Sequence, residues 1–184
     1  MSVLVLVSIV VIVALIFDFT NGFHDAANAM ATSVATGALR PKTAVLIAAV
    51  LNLVGALLST EVAKTISSGM VDDKLVSPEM VLAGLVGAIL WNLITWLIGM
   101  PSSSSHAMFG GLIGAVLASA GVAGINGGVI ISKILLPALV APLVAGLTAV
   151  VATKAAYAII RHHERDAKPI FKHAQTVSAS MVAL

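Results

Sequence analysis

Met80 to Ser132 is a run of 53 residues without a single aspartate, glutamate, lysine or arginine. One membrane crossing takes about 20 apolar residues, so the run crosses twice or holds re-entrant segments, and Pro101 with the four serines behind it is the natural break. Further spans are Met1 to Phe17, continuing through a polar stretch to about Leu39, then Thr43 to Thr60, and Ile134 to Thr153. Five nominal crossings result. Hydrophobic residues make up 59% of the 184 and charged residues 10%, against about 25% charged in a soluble domain. The chain reads as an all-α membrane protein. It has no cysteine, which excludes disulfides, thiolate metal sites and a catalytic thiol.

Met1 to Phe17 lacks the basic flank and the small-residue cleavage site of a signal peptide, and is read as a retained first helix. The net charge of +2 comes largely from Lys154, Arg161, Arg165, Lys168 and Lys172, which assigns the C-terminal tail to the cytosol rather than to a nucleic-acid partner. An odd number of crossings then puts the N-terminus outside. Arg40 and Lys42 fall on the cytosolic side. Between Glu61 and Glu79, Lys64 and Lys74 are outnumbered by Glu61, Asp72, Asp73 and Glu79, as suits an outer loop. Residues 1–153 form the transmembrane domain and 154–184 a basic cytosolic segment.

Within FDFTNGFHDAANAMATSVAT, the positions Asp18, Asn21, Asp25, Asn28 and Thr32 fall within an arc of roughly 80° on a helix, a single polar stripe. Carboxylates within a membrane are costly and mark ion or substrate paths more often than packing. Asp18 and Asp25 offer hard oxygen ligands to a cation such as sodium, or proton-accepting groups. Gly22, in mid-stripe, is where the helix could unwind and free backbone groups for ligands. His24 is either a proton carrier or a hydrogen-bonded interior histidine.

The second constellation is GMPSSSSHAMFGGLIGA, Gly99 to Ala115. Pro101 suits the first turn of a helix, and Ser102, Ser103, Ser104 and Ser105 then place hydroxyls beside unpaired amides at the positive end of its dipole, a good oxyanion site. The competing reading is a capped helix at the membrane surface. Asn52, Asn92 and Thr95 fit interhelical hydrogen bonds, and Trp91 and Trp96 fit packing or interfacial anchoring. Gly84, Gly87, Gly110, Gly111 and Gly114 permit close helix contact. His162 and His163 belong to the charged tail.

NGFHDAANAMATSVATGAL resembles the signature of the inorganic phosphate transporter family, and WNLITWLIGMPSSSSHAMFGGLIGA resembles its second signature. The resemblance implies a secondary transporter that moves inorganic phosphate with sodium or protons, through a site of broken helices and re-entrant segments in a multi-pass cell-membrane protein of bacterial or archaeal type. Carried over by position, Asn21, Asn28 and Ser102 to Ser105 would hold phosphate. Asp18, Asp25, His24 and His106 would serve the cation or proton, with Asp18 and Asp25 the ligands if the ion is sodium. No cofactor is implied. The family is built from inverted repeats, and FKHAQTVSASMVAL looks like the lead-in to a second copy, so the chain reads as the N-terminal half. Its implied partners are phosphate, membrane lipid and a second half or another copy. The alternatives are an intramembrane serine hydrolase using Ser102 to Ser105 with His106, and a non-transporting assembly subunit. The hydrolase is disfavoured, because sequence neighbours rarely form a nucleophile–base pair.

Overall fold

A computed structural model describes residues 2–58, 69–71, 75–161 and 167–184. The charges expected in the outer loop at Glu61, Lys64, Asp72, Asp73 and Lys74, and His162, His163 and Arg165 of the tail, lie outside the described residues. The helices are α1 (Val3–Ala35), α2 (Pro41–Leu58), α3 (Pro78–Leu97), α4 (Ser104–Ala120), α5 (Gly127–Ile130), α6 (Leu136–Ile160) and α7 (Ala167–Ala183). A 3₁₀ turn, Val122–Gly124, follows α4, and a π-helical stretch, Ile131–Leu135, joins α5 to α6. Among the described residues the helices long and apolar enough to cross a membrane are α1, α2, α3 and the continuous Gly127–Ala158, with α4 a shorter fifth.

Most of the boundaries follow from local chemistry. Ser2 caps α1, accepting from the Val5 amide, and Ser77 caps α3 ahead of Pro78, where a missing N–H costs nothing. α1 stops at Ala35 rather than near Leu39 because Gly37 turns left-handed, with φ at 71°, and Leu39 N–H closes back onto the Ser33 carbonyl at 2.9 Å. That is how a helix ends on glycine. Pro41 then opens α2, so the two helices form a tight antiparallel pair.

α1 is unbroken through Gly22, contrary to the expected broken first helix. A lone glycine weakens a helix by only about 1 kcal/mol relative to alanine, and no proline assists it here. Unwinding would also strip backbone groups of their partners. Among the described residues nothing lies within 4 Å of the position a Gly22 Cβ would take, so none of them demands the glycine either.

The 53-residue run folds as a helical hairpin. Gly84 meets Gly111 and Leu112, Ala88 clusters with Ala107, and the Trp91 indole N–H donates to the Ser102 hydroxyl at 3.0 Å. The sequence numbers rise along α3 as they fall along α4, so the pair is antiparallel. A Cβ on Gly111 would strike the Gly84 carbonyl, whereas Gly110 and Gly114 face open space. The close contact therefore comes from Gly84 and Gly111, not from Gly110 and Gly114, which are spaced as a GxxxG pair. A second break, at 121–126, was not read from the sequence. It is made by Gly121 at φ 70° and by Asn126, which caps α5. There Ile125 pairs with Val71 in an isolated bridge and Asn126 N–H donates to the Met70 carbonyl at 3.0 Å, so the segments flanking the hairpin meet at one end.

α3 lies parallel to α1. Phe17 packs with Leu85 and Ala88, and Phe23 sits edge-on to Trp96 with ring centroids 5.5 Å apart. α7 packs against α1 and α2. Thr36 donates from Oγ1 to Gln175 Oε1 at 2.8 Å, Ser33 donates to the Gln175 carbonyl at 3.3 Å, and Ala179 and Ala183 join Ala29, Met30, Ala44 and Ala48 in a buried cluster. α6 is exposed along nearly its whole length and bears Leu139, Leu143, Leu147 and Val151, as suits a helix whose solvent is lipid. Its preceding π-helical stretch ends two residues before Pro137, whose ring lacks an N–H and would clash one turn back.

The Gly84–Gly111 contact sets the hairpin spacing. Gly111→Ala should lower the thermal midpoint of the purified protein in detergent, at a cost of about 1–3 kcal/mol for forced overpacking, while Gly114→Ala should leave it unchanged.

Candidate functional site

The hairpin turn carries the serines to the middle of the polar stripe. α3 ends at Leu97, Gly99 takes φ 69°, and residues 101–103 run to the N-terminus of α4. Pro101 thus precedes the helix instead of standing in its first turn. Ser103 is the N-cap of α4, its hydroxyl accepting from His106 N–H at 3.4 Å. Ser104, the first helical residue, is buried, and its hydroxyl donates to Asp25 Oδ2 at 3.2 Å. The Ser102 amide donates to His24 Nε2 at 3.3 Å. These two bonds pin the turn to α1 at His24 and Asp25.

His24 stands eleven residues before Ala35, the last residue of α1. At 1.5 Å per residue the turn therefore stops about 16 Å short of that end. Both flanks of the hairpin meet at the opposite end, so it is a loop that enters and returns along α1. Where the turn meets α1 a pocket of about 160 Å³ opens, lined by His24, Ala27, Asn28, Trp96, Gly99, Met100 and Pro101.

The predicted residues divide between two faces. Asp25, His24, Asn28, Ser104 and the Ser102 amide gather where the turn meets α1, whereas the Ser102 hydroxyl accepts from Trp91 and lines the outer groove. Asp18, Asn28 and Thr32 are exposed, and Asn21 and Asp25 partly so, so the stripe looks out from this chain's own packing. In an unbroken helix Asp18 and Asp25 are two turns apart, about 10 Å along the axis, and mark separate positions. No cluster of three or more histidine or acidic side chains suited to a metal ion occurs among the described residues. Ser103 and His106 face a different groove. It measures about 610 Å³ and runs along the outer side of the hairpin past Trp91, Gly87, Gly110 and Gly111. His106 Nδ1 lies 2.8 Å from Ser103 Oγ, so a serine and a histidine do meet, but as the cap of α4.

Asn92 is the residue that the sequence reading underrated. In sequence it fits an interhelical hydrogen bond, yet it is fully buried and neither end of its amide has a partner among the described residues. Its signal was its place as the single amide in α3. Thr95 and Asn52 also depart from the expected interhelical bonds. Thr95 bonds within its own helix, to the Trp91 and Asn92 carbonyls. Asn52 does the same, donating to the Ala48 carbonyl at 2.9 Å.

This arrangement has known relatives. The low-affinity inorganic phosphate transporter designated probable in Mycobacterium tuberculosis strain H37Rv is 53% identical over 182 residues, covering 98% of this chain and 44% of the relative. A relative of the same designation in Streptomyces halstedii is 47% identical and is covered to 85%. The fold superposes on a solved structure titled the sodium-dependent phosphate transporter with a TM-score of 0.75 and 25% identity, over 97% of this chain and 54% of that one. The chain thus spans under half the length of the mycobacterial relative. The family is one of transporters rather than enzymes, which removes the hydrolase reading of Ser102 to Ser105 with His106. Residues 21–184 match the phosphate transporter family, and the chain belongs to it.

Proposed function

We propose that this chain is the N-terminal half of a secondary transporter that carries inorganic phosphate together with sodium or protons across the cell membrane. One observation carries the reading: Ser104 Oγ lies 3.2 Å from Asp25 Oδ2, so a serine turn rich in donors touches a membrane carboxylate. Phosphate would be held by the Ser104 hydroxyl and by the amides of Asn21 and Asn28, while Ser102, whose hydroxyl turns to Trp91, would act through its backbone amide bond to His24. Ser105 belongs to the first turn of α4, where free amides and the helix dipole favour an anion. Asp25 would take the cation or proton, with Asp18 a second position two turns away. Each positive charge beside Asp25 would offset part of the anion's charge, so binding of one favours binding of the other. Phosphate transport as a substrate assignment is supported by the names of the relatives.

Asp18, Asn28 and Thr32 of the stripe face away from this chain's own helices, and that supports a second half that closes the site from the other side. In inverted-repeat transporters the two halves rock about such a central site. The basic tail favours a cytosolic C-terminus and an outer N-terminus. The stability of the isolated half would not itself give transport.

The experiment is radiolabelled phosphate uptake by a complete permease carrying this half. Asp25→Asn should abolish uptake while membrane insertion stays intact, and near-normal uptake with unchanged cation dependence would sink the assignment. Ser104→Ala should raise the KM for phosphate, since a hydrogen bond to a charged group contributes about 1.5–3 kcal/mol. Ser103→Ala should instead lower stability by about 1 kcal/mol through the lost cap, with KM unchanged. Reconstituted alone in liposomes, this chain should show little or no phosphate uptake, and co-expression with a second half should restore it.

A further inference from the structure

Four buried polar atoms on the packed helices α1 and α3 lie near the level at which the serine turn meets α1. Asn21 Oδ1, His24 Nδ1 and both Asn92 Oδ1 and Asn92 Nδ2 have no hydrogen-bond partner among the described residues. Asn21 and His24 are one turn apart on α1. The parallel register, with Phe17 against Ala88 and Phe23 against Trp96, brings Asn92 level with them. Asn92 is 0% exposed and His24 5%. Four orphaned polar atoms in one apolar contact would be a heavy cost unless something joins them.

The balance of donors and acceptors identifies the occupant. His24 Nε2 accepts the Ser102 amide, so in the neutral ring the proton sits on Nδ1, which is therefore a donor. Asn92 Nδ2 is a second donor, and Asn21 Oδ1 and Asn92 Oδ1 are acceptors. A metal cation would require acceptors throughout and an anion donors throughout. Two of each match a water molecule, which donates twice and accepts twice. Turning the Asn92 amide over leaves the balance unchanged, because both of its ends take part. A group from a second half cannot supply the missing partners, since this chain already encloses Asn92 completely.

We propose that Asn92, Asn21 and His24 bind a single structural water, and that Asn92 is thereby a positioning residue for the serine turn. The water holds the His24 proton on Nδ1. That leaves Nε2 free to accept the Ser102 amide, which fixes the turn beside Asp25 with Ser104 in reach of it. Asn92 touches neither phosphate nor cation and acts through His24. The inference extends the phosphate reading, but its first test does not depend on transport.

The test begins with the purified chain in lipid nanodiscs, labelled with ¹⁵N at histidine. NMR should find His24 as the Nδ1–H tautomer, with magnetisation transfer from water to that proton, and Asn92→Leu should remove both. An Nε2–H tautomer, or no water contact in the unsubstituted chain, would overturn the water site. Asn92→Ala, which leaves room for solvent, serves if the leucine variant does not fold. In a complete permease Asn92→Ala should raise the KM for phosphate on the order of tenfold, as loss of a supporting partner does, with Vmax per inserted molecule unchanged. An unchanged KM, or a fall in Vmax alone, would overturn the positioning role. If the unsubstituted permease moved no phosphate, the phosphate reading would fail while the NMR result would still decide the water site.

Discussion

In hydrocarbon, a polar group without a partner is costly enough to dictate where it goes. The serine turn is a non-helical stretch at the end of two apolar helices, so it needs partners, and α1 supplies them in His24 and Asp25. The same two bonds meet the needs of α1, whose carboxylate and imidazole would otherwise stand alone. Each element thus makes the other tolerable. The parallel contact of α1 and α3, built from Phe17, Leu85 and Ala88, sets the height at which they meet, and the bare contact of Gly84 with Gly111 keeps the hairpin thin enough to reach it.

What is not satisfied internally is as informative. The stripe of Asp18, Asn28 and Thr32 is left open, while α6 shows an apolar surface all round. Those are two different unmet demands. Exposed leucine and valine on α6 are content against lipid, but carboxylate and amide groups are not. The chain therefore has one face suited to acyl chains and another suited to polar company.

Much of this was legible in the residues. The stripe is visible because five polar positions repeat with helical spacing in an otherwise apolar segment, and the hairpin because Pro101 and four serines interrupt a charge-free run. Helix ends at Ser2, Ser77 and Pro41 carry their usual local chemistry. The rest depends on contacts between distant segments. Continuity of α1 through Gly22 reflects the small cost of a lone glycine in a helix and, among the described residues, open space around it. The division of Ser104 from Ser103 and His106 between two faces follows from which side of α4 meets α1, and spacing alone does not encode that. The break at 121–126 was masked because Gly121 and Asn126 stand among apolar residues with no charge to flag them. Asn92 is flagged only as the single amide of α3, which marks the position without saying what surrounds it.

The bridge between Val71 and Ile125 has a bearing on how such a chain keeps its orientation. It brings together the strand of chain entering α3 and the one leaving α4, so the hairpin begins and finishes on the same side. Whether its turn lies shallow, midway or fully across, it adds an even number of passages, none or two. Everything downstream of Ile125 keeps the same sidedness. The depth of the serine turn can therefore be altered by adding or removing matched residues in α3 and α4, and the rest of the protein need not be turned over.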